Sequence, residues 1–318
     1  MDRPVASPAA TSGSRRRPWL WVGLGAAASI AAGTLVLRSS GPVTPTTALP
    51  PPRFVEETAS AGIEHVYSGD FEFFVGGGVA VFDCDQDRRQ DLYLAGGSAS
   101  AALYRNHTAT GGQLAFARAE SPVTDLDNVA GAYPIDIDSD DVMDLVVVRV
   151  GENVILRGLG ECQFERANEL WGIDGDYQWT AAFSAKWEEG NELPTLAFGN
   201  YLNWPVNREE VASCADNALF RPEGESYGEA TALSPGWCTL SVLFADWDRS
   251  GRADLRVAND RHYYRDGSEQ LWRIAPGEEP RLYTAADGWD EIQIWGMGVA
   301  SQDVTGDVSW TVSDSAVA

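Results

Sequence analysis

A short acidic pattern recurs along this chain of 318 residues, each time just before an apolar segment. Its acids stand at positions 1, 3, 5 and 9 of a loop, as in Asp83, Asp85, Asp87 and Asp91. The same positions hold Asp136, Asp138, Asp140 and Asp144 in a second loop, and Asp246, Asp248, Ser250 and Asp254 in another. Asp303, Thr305 and Asp307 begin a weaker copy, whereas Lys186 opens a copy that has lost its ligands. A near-constant period of roughly 50–60 residues indicates stacked supersecondary units.

Other segments recur in phase with these loops. A small-residue apolar segment precedes each one: GGGVAVF, VAGAYPI, TAAFSAK, LSVLFA and GMGVAS. The segments LYRN (103–106), ILRG (155–158) and LWRI (271–274) follow, and Phe116, Phe164 and Leu282 come next. The sequence therefore predicts an all-β fold with about four short strands per repeat, which is typical of a β-propeller. A tandem sandwich is less favoured because one repeat is too small to bury both faces of its own sheet.

The acidic loops are predicted calcium sites. Closely spaced carboxylates repel one another unless a cation lies among them, and Ca²⁺ binds six to eight oxygen ligands from side chains and backbone carbonyls. The position-7 carbonyls of Arg89, Val142 and Arg252 would complete about three sites with a structural role. Asp303, Thr305 and Asp307 are expected to bind weakly, since Thr311 replaces the closing acid. The alternative for any single loop is a solvated acidic turn.

The phased loops resemble FG-GAP/VCBS repeats, the blades of the integrin-α-type propeller, from about Phe54 to Asp307. LSPGWCTLSVLFADWDRSGRADLRVANDRHYYRDG and WGMGVASQDVTGD resemble bacterial relatives of cartilage acidic protein. The resemblance implies calcium in the loops and an exported propeller of seven blades. Position 6, normally Gly in this family, is Gly only at Gly251; the other loops have Arg88, Asp141 and Val308.

The chain is expected to form an incomplete propeller. Residues 53–318 suffice for about five blades, whereas seven blades of this size need roughly 385 residues. SWTVSDSAVA (309–318) replaces the strand that is expected next, so no strand is predicted there. The last sheet edge is therefore predicted to be open, which permits self-association or coverage by a partner.

The first 52 residues are predicted to lie outside the fold. Residues 1–18 contain an Arg triplet and would stay cytoplasmic. The uncharged segment 19–37 would be roughly 28 Å long as a helix, which favours a membrane anchor over the alternative of a cleaved signal peptide. Residues 38–52 are a Pro/Thr-rich linker. The repeats of 53–318 would then face the periplasm or the exterior, and would be secreted if the segment is cleaved.

Export permits disulfides. Cys214 and Cys238 bracket a Gly/Pro-rich loop and are the predicted pair. Cys84 and Cys162 could also pair, but two unpaired, partly buried thiols are expected there.

Composition restricts the functional class. With 23 basic and 47 acidic residues the net charge is −24, which disfavours nucleic-acid binding. There are only three histidines and no recognised catalytic motif, so an enzyme is not expected. The favoured function is a surface binding, adhesion or scaffold module with an unknown protein or glycan ligand. The alternatives are an exported enzyme acting on polysaccharide, as a glycosidase or lyase, and a non-functional fragment. A polar, aromatic segment is the predicted ligand loop: Asp260, Arg261, His262, Tyr263, Tyr264 and Arg265.

Overall fold

Short antiparallel strands joined by tight turns make up the protein. A computed structural model describes residues 51–205, 213–260, 267–303 and 310–316. Within these ranges the helical elements are 3-10 turns, at Phe71–Phe73 and Ala285–Asp287, so the all-β prediction is confirmed. No helix in the described ranges is long and apolar enough to cross a membrane. The predicted anchor, 19–37, lies outside those ranges.

The strands follow the repeats of the sequence. Repeat 1 contains β1 (Val79–Phe82), β2 (Asp91–Leu94), β3 (Ala102–Asn106) and β4 (Phe116–Ala119). Repeat 2 contains β5 (Val129–Ile135), β6 (Asp144–Gly151), β7 (Val154–Gly158) and β8 (Phe164–Arg166). Repeat 3 contains β9 (Gln178–Lys186), β10 (Thr195–Asn200), β11 (Asn217–Phe220), a hairpin of β12 (Pro222–Glu223) and β13 (Ser226–Tyr227), and β14 (Thr231–Leu233). Repeat 4 contains β15 (Thr239–Ala245), β16 (Asp254–Asn259), β17 (Gln270–Arg273) and β18 (Arg281–Leu282). Repeat 5 contains β19 (Gly296–Asp303) and β20 (Trp310–Ala316).

Each of the first four repeats is an antiparallel meander. The strand orders are β1-β2-β3-β4 and β15-β16-β17-β18 in repeats 1 and 4. In repeats 2 and 3 the same meander is present, and the two sheets are joined where Val150 and Gly151 of β6 pair with Trp179 and Gln178 of β9. Consecutive strands are thus hydrogen-bonded neighbours, as the phased sequence segments predict.

The core lies between successive sheets. Phe82 and Tyr93 of repeat 1 belong to the same buried cluster as Leu145 and Leu156 of repeat 2. Equivalent clusters join repeat 2 to repeat 3 and repeat 3 to repeat 4. Because side chains alternate between the two faces of a strand, one sheet contributes to two clusters. This explains why interior strands such as β6 and β10 are apolar without strict alternation.

Two disulfides are present. One joins Cys214 to Cys238, the pair named from the sequence. The other joins Cys84 to Cys162, so the expectation of two unpaired thiols is wrong. Cys84 follows the first loop position of repeat 1, and Cys162 lies in the turn between β7 and β8 of repeat 2. Packing of the two sheets brings their Cα atoms to 4.6 Å, a proximity that a separation of 78 residues does not reveal.

The C-terminal segment also differs from expectation. Residues Trp310–Ala316 form β20, which pairs with β19 in antiparallel register from Asp303↔Trp310 to Gly296↔Ala316. The segment alternates apolar and polar residues at its start, a pattern that suits a strand once a neighbouring strand offers backbone partners.

Candidate metal centres in the aspartate loops

The aspartate loops are the turns between the first and second strands of repeats 1, 2 and 4. Position 9 of each loop is the first residue of the second strand. It pairs with the last residue of the first strand: Phe82 with Asp91, Ile135 with Asp144, and Ala245 with Asp254. Three separate stretches of sequence therefore close the same hairpin in the same register.

All three loops share one unusual backbone. Positions 4 and 6 are left-handed in every copy, with φ values of 59° and 68° at Gln86 and Arg88, 59° and 65° at Ser139 and Asp141, and 59° and 82° at Arg249 and Gly251. A left-handed conformation costs a non-glycine residue energy. The loops of repeats 1 and 2 thus adopt this conformation without a glycine at position 6.

The carboxylate at position 1 stabilises this backbone. It accepts the N–H groups of positions 5 and 6, so both of its oxygens cap the turn. The distances are 3.1 and 2.7 Å to Asp83, 3.1 and 3.0 Å to Asp136, and 2.9 and 2.8 Å to Asp246. Asp at position 1 therefore has a structural role whether or not an ion is bound.

The carboxylate at position 9 is buried and ties the loop to the third strand. Asp91 accepts the N–H groups of Cys84 at 2.9 Å and Asn106 at 2.8 Å. Asp144 does the same with Ile137 and Gly158, at 2.8 and 2.9 Å. Asp254 accepts the N–H of Ile274 at 3.1 Å. All three acids are at most 1% exposed.

In repeats 1 and 2, the carboxylates of positions 1, 3 and 9 converge. One oxygen each of Asp83, Asp85 and Asp91 lies within 4.8 Å of the others, and Asp136, Asp138 and Asp144 form the same arrangement. Asp138 Oδ1 is buried and has no hydrogen-bond partner. Three converging carboxylates are hard oxygen donors that suit Ca²⁺, so the residues of repeats 1 and 2 fit this ion, and the unpartnered Asp138 oxygen supports the fit in repeat 2.

The position-5 acids, Asp87 and Asp140, lie at the outer side of these triads. Each accepts the N–H of position 7, from Arg89 and Val142, at 2.9 Å. The Arg89 side chain also pairs with Asp87. The backbone carbonyls of positions 7 would be the remaining protein ligands.

Sequence reasoning missed two arginines, although it noted the recurring segments that contain them. Arg105 of β3 pairs with Asp85, and Arg157 of β7 lies 2.8 Å from Asp138 and 3.1 Å from Asp140. In-phase arginine two strands after an acidic loop was the available signal. Arg105 thus contacts position 3, Arg157 contacts positions 3 and 5, and neither forms an ion pair with position 9.

Repeat 4 differs at position 9. Arg252 binds both oxygens of Asp254, at 2.9 and 3.0 Å, and the Tyr283 hydroxyl donates to Asp254 Oδ2 at 2.7 Å. Among the described residues, the acids of this loop are not a convergent triad. The third predicted site, Asp246, Asp248, Ser250, Arg252 and Asp254, is therefore present as a loop but lacks the arrangement of the first two.

The pKa values of the position-9 acids follow their partners. Burial raises the pKa of Asp91, and it raises the pKa of Asp144 to about 7. Burial also acts on Asp254, but hydrogen bonds from Arg252 and Tyr283 outweigh it and hold the pKa of Asp254 below its ordinary value. Burial without a paired cation disfavours the charged form of a carboxylate. A bound cation would therefore stabilise the charged forms of Asp91 and Asp144, as Arg252 does for Asp254.

Repeat 3 replaces the acidic loop with an ion pair. Lys186, at position 1, lies 3.2 Å from Glu188, at position 3, and both side chains are buried. The Lys186 ammonium also donates to the carbonyls of Ala253 and Ile274 in repeat 4, at 2.9 and 2.7 Å. The copy that lost its ligands thus supplies a cation to its neighbour.

The remaining predicted residues are only partly described. Asp303 ends β19, whereas Thr305 and Asp307 lie outside the described ranges. Of the predicted ligand loop, Asp260 accepts the Tyr201 hydroxyl at 2.7 Å. Arg261, His262, Tyr263, Tyr264 and Arg265 also lie outside those ranges.

A cavity of about 640 Å³ opens beside the repeat 2 loop. Its walls come from repeats 2 and 3 and combine acids, one arginine and an apolar side: Asp138, Arg157, Leu170, Trp171, Glu192, Leu193, Glu225 and Ser226. A molecule bound there would lie next to one member of the second carboxylate triad.

Comparison with known families identifies one repeat. Residues 83–147 match the FG-GAP-like repeat family. The matched segment includes the first two aspartate loops and the strands between them, so this part of the chain carries an FG-GAP-like repeat. The comparison with curated proteins found no match, and the relationship to bacterial relatives of cartilage acidic protein stays a prediction.

Among solved structures, a similar chain comes from the crystal structure of BBS1N in complex with ARL6DN, soaked with lead. The two chains are 14% identical with a TM-score of 0.40, and the match covers 74% of this chain and 61% of that chain. The present chain thus spans less than two thirds of that neighbour. A likeness at this level says nothing about the activity or partners of the protein studied here.

Proposed function

We propose that the protein is a calcium-stabilised β-propeller module for binding or scaffolding on the outer side of a membrane. The convergence of three carboxylates in each of repeats 1 and 2 carries this proposal. Asp83, Asp85 and Asp91 would hold one ion, and Asp136, Asp138 and Asp144 a second, with the carbonyls of positions 7. The ion would neutralise the buried acids and connect the first and second strands of each repeat.

The two disulfides support export. Disulfides persist in oxidising compartments and are rare in the cytosol. All four cysteines are paired, by Cys84–Cys162 and Cys214–Cys238. Segment 19–37 would anchor the chain or direct its secretion, and the ordered meanders of repeats 1–4 would be blades of the propeller.

The cavity beside repeat 2 is the proposed ligand site within the described residues. Trp171 and Leu170 offer an apolar wall, while Arg157 and the acids offer polar contacts. Cavities that combine an apolar surface with a few polar groups are typical ligand sites. A glycan array and a reducing-sugar assay separate binding from turnover, since turnover would favour the alternative of an exported polysaccharide enzyme.

The metal proposal is tested by counting bound ions. Isothermal titration of the EGTA-dialysed protein is expected to find two calcium ions, and D85N and D138N are each expected to lose one. A bound ligand present at 100 times its Kd stabilises the fold by about 2.7 kcal/mol. Calcium should therefore raise the melting temperature.

D127N is the matched control, because Asp127 is an exposed-loop acid outside the triads whose carboxylate contacts Ser100. It should retain both ions. Zero bound calcium at millimolar concentration, or unchanged counts in D85N and D138N, would contradict the metal proposal.

A further inference from the structure

The repeat 4 loop has the hairpin of a calcium site, but its central carboxylate already has a cation. Arg252 Nε lies 2.9 Å from Asp254 Oδ1, and the second guanidinium contact to Oδ2 is 3.0 Å. This is a bidentate pair, the strongest geometry available to arginine and a carboxylate. Asp254 is fully buried, whereas the Arg252 side chain is 26% exposed.

The other hydrogen-bonding groups near Asp254 complete its environment. Tyr283 donates its hydroxyl proton to Asp254 at 2.7 Å, and Arg252 donates to the same hydroxyl oxygen at 2.9 Å. The Trp247 indole N–H adds a contact of 3.3 Å to Oδ2. With the N–H of Ile274 at 3.1 Å, both carboxylate oxygens have donors. An ion could reach this carboxylate only by displacing Arg252.

The arginines of repeats 1 and 2 are placed differently. Arg105 and Arg157 extend from the third strand; Arg105 contacts position 3, and Arg157 contacts positions 3 and 5. Arg252 stands inside the loop, at position 7, and contacts position 9. At the position of Arg157, repeat 4 has Arg273, which pairs with Glu278 instead. In repeat 4 the arginine that pairs with a loop acid thus comes from the loop itself rather than from the third strand, and it pairs with position 9 rather than position 3.

Two further features of repeat 4 agree with this exchange. Position 5 is Ser250, which removes one carboxylate from the donor set. Lys186 of repeat 3 also donates to the carbonyls of Ala253 and Ile274. Ala253 precedes Asp254 in the chain, and the N–H of Ile274 donates to the Asp254 carboxylate. Two cationic side chains, Arg252 and Lys186, therefore hydrogen-bond to this loop.

We propose that repeat 4 does not bind calcium, because Arg252 takes the place of the ion as a built-in cation on Asp254. The inference builds on the proposed calcium sites of repeats 1 and 2, which supply the comparison. Repeats 3 and 4 would thus be stable without calcium, whereas repeats 1 and 2 would depend on it.

The test is R252A in the full chain, with calcium counted by isothermal titration up to millimolar concentration. Removal of the guanidinium leaves the position-7 carbonyl in place and exposes Asp254 to a new cation. We expect R252A to bind one calcium ion more than the wild type, and calcium to raise its melting temperature more than that of the wild type. An equal ion count in the two proteins would overturn the inference.

D248N keeps the test decisive if R252A does not fold. Asp248 is position 3 of repeat 4, and D138N removes the matching acid of repeat 2. In the otherwise wild-type chain, D248N should leave the ion count unchanged, and loss of one ion would refute the inference. If the wild type binds no calcium while R252A binds one ion, the proposed sites of repeats 1 and 2 fail but the role of Arg252 stands.

Discussion

Gln86 of the first aspartate loop donates from Nε2 to the backbone carbonyl of Asp141 in the second loop, at 2.9 Å. The two residues occupy positions 4 and 6 of their loops, and both are left-handed. We therefore expect a change in one loop backbone to affect the other through this hydrogen bond. The two candidate calcium sites are linked through the turns that hold their ligands.

Q86A should weaken the coupling between these sites. If calcium in one loop fixes the backbone of the other, the first ion raises affinity for the second by a factor of about 5, a modest coupling energy. Without the Gln86 side chain, this factor should fall toward 1, as measured by two-site titration calorimetry. Q113A, an exposed change outside the loops, is the control. Equal coupling in Q86A and the wild type would show that the contact carries none.

Substitutions at positions 3 and 9 of the repeat 2 loop should have different effects on the stability of the metal-free protein. D144A leaves the buried N–H groups of Ile137 and Gly158 without acceptors, which should cost about 2–4 kcal/mol even without calcium. D138N keeps an oxygen for Arg157 and should change the metal-free stability by less than about 1 kcal/mol. Urea unfolding in EGTA and in calcium measures both. Comparable losses for the two variants in EGTA would contradict the assignment.

The disulfide between Cys84 and Cys162 should support the first calcium site only. Cys84 Sγ lies 2.9 Å from Asp91 Oδ2, so the bridge packs directly against a predicted ligand. The double variant C84A/C162A should bind calcium several-fold more weakly in repeat 1, and loss of a bridge across 78 residues should cost about 4 kcal/mol of stability. Titration in a D138N background reports repeat 1 alone.

C214A/C238A is the matched control for that experiment, because its bridge lies in repeats 3 and 4. It should lose stability but keep the calcium affinity of repeat 1. An equal loss of affinity in the two double variants would indicate a general effect of unfolding.

Asp176 should make stability depend on pH. Burial raises its pKa, although Asn200 donates to its carboxylate at 2.6 Å. A raised folded-state pKa stabilises the fold below the unfolded value of about 4, and this contribution is lost as pH rises through the folded pKa. Asparagine does not ionise, so D176N should abolish this fall in stability with rising pH and raise the melting temperature at neutral pH. Asparagine also tolerates the left-handed φ of 45° at this position.

The comparison for D176N is D174N, since Asp174 is the exposed acid two residues earlier. Melting temperatures of both variants between pH 4 and 8 give the answer. The interpretation fails if D176N keeps the pH dependence of the wild type, or if D174N abolishes it equally.

The repeating pattern was sufficient to predict the first strand of each repeat and the acidic hairpins, but not β20 or the strands β11–β14 between Cys214 and Cys238. The 1-3-5-9 spacing marks a tight turn between two strands, and the in-phase apolar segments mark the strands that follow. These signals are local, since they depend on alternation of side chains and on turn geometry within one repeat. They are sufficient to locate β1, β5, β9, β15 and β19 and the acidic hairpins.

Tertiary structure decided in which loops three carboxylates converge and which cysteines meet. The sequence places Asp144 and Asp254 at the same loop position and predicts the same ligand role for both. In the structure both are buried, but only Asp254 is paired with an arginine, Arg252. Likewise, Cys84 and Cys162 meet only because the sheet of repeat 1 packs on the sheet of repeat 2. A spacing rule specifies the order of residues along a strand or turn. It contains no information on which side chain of a neighbouring strand or sheet enters the same buried volume. Those neighbouring side chains determine whether a buried carboxylate has a cationic partner.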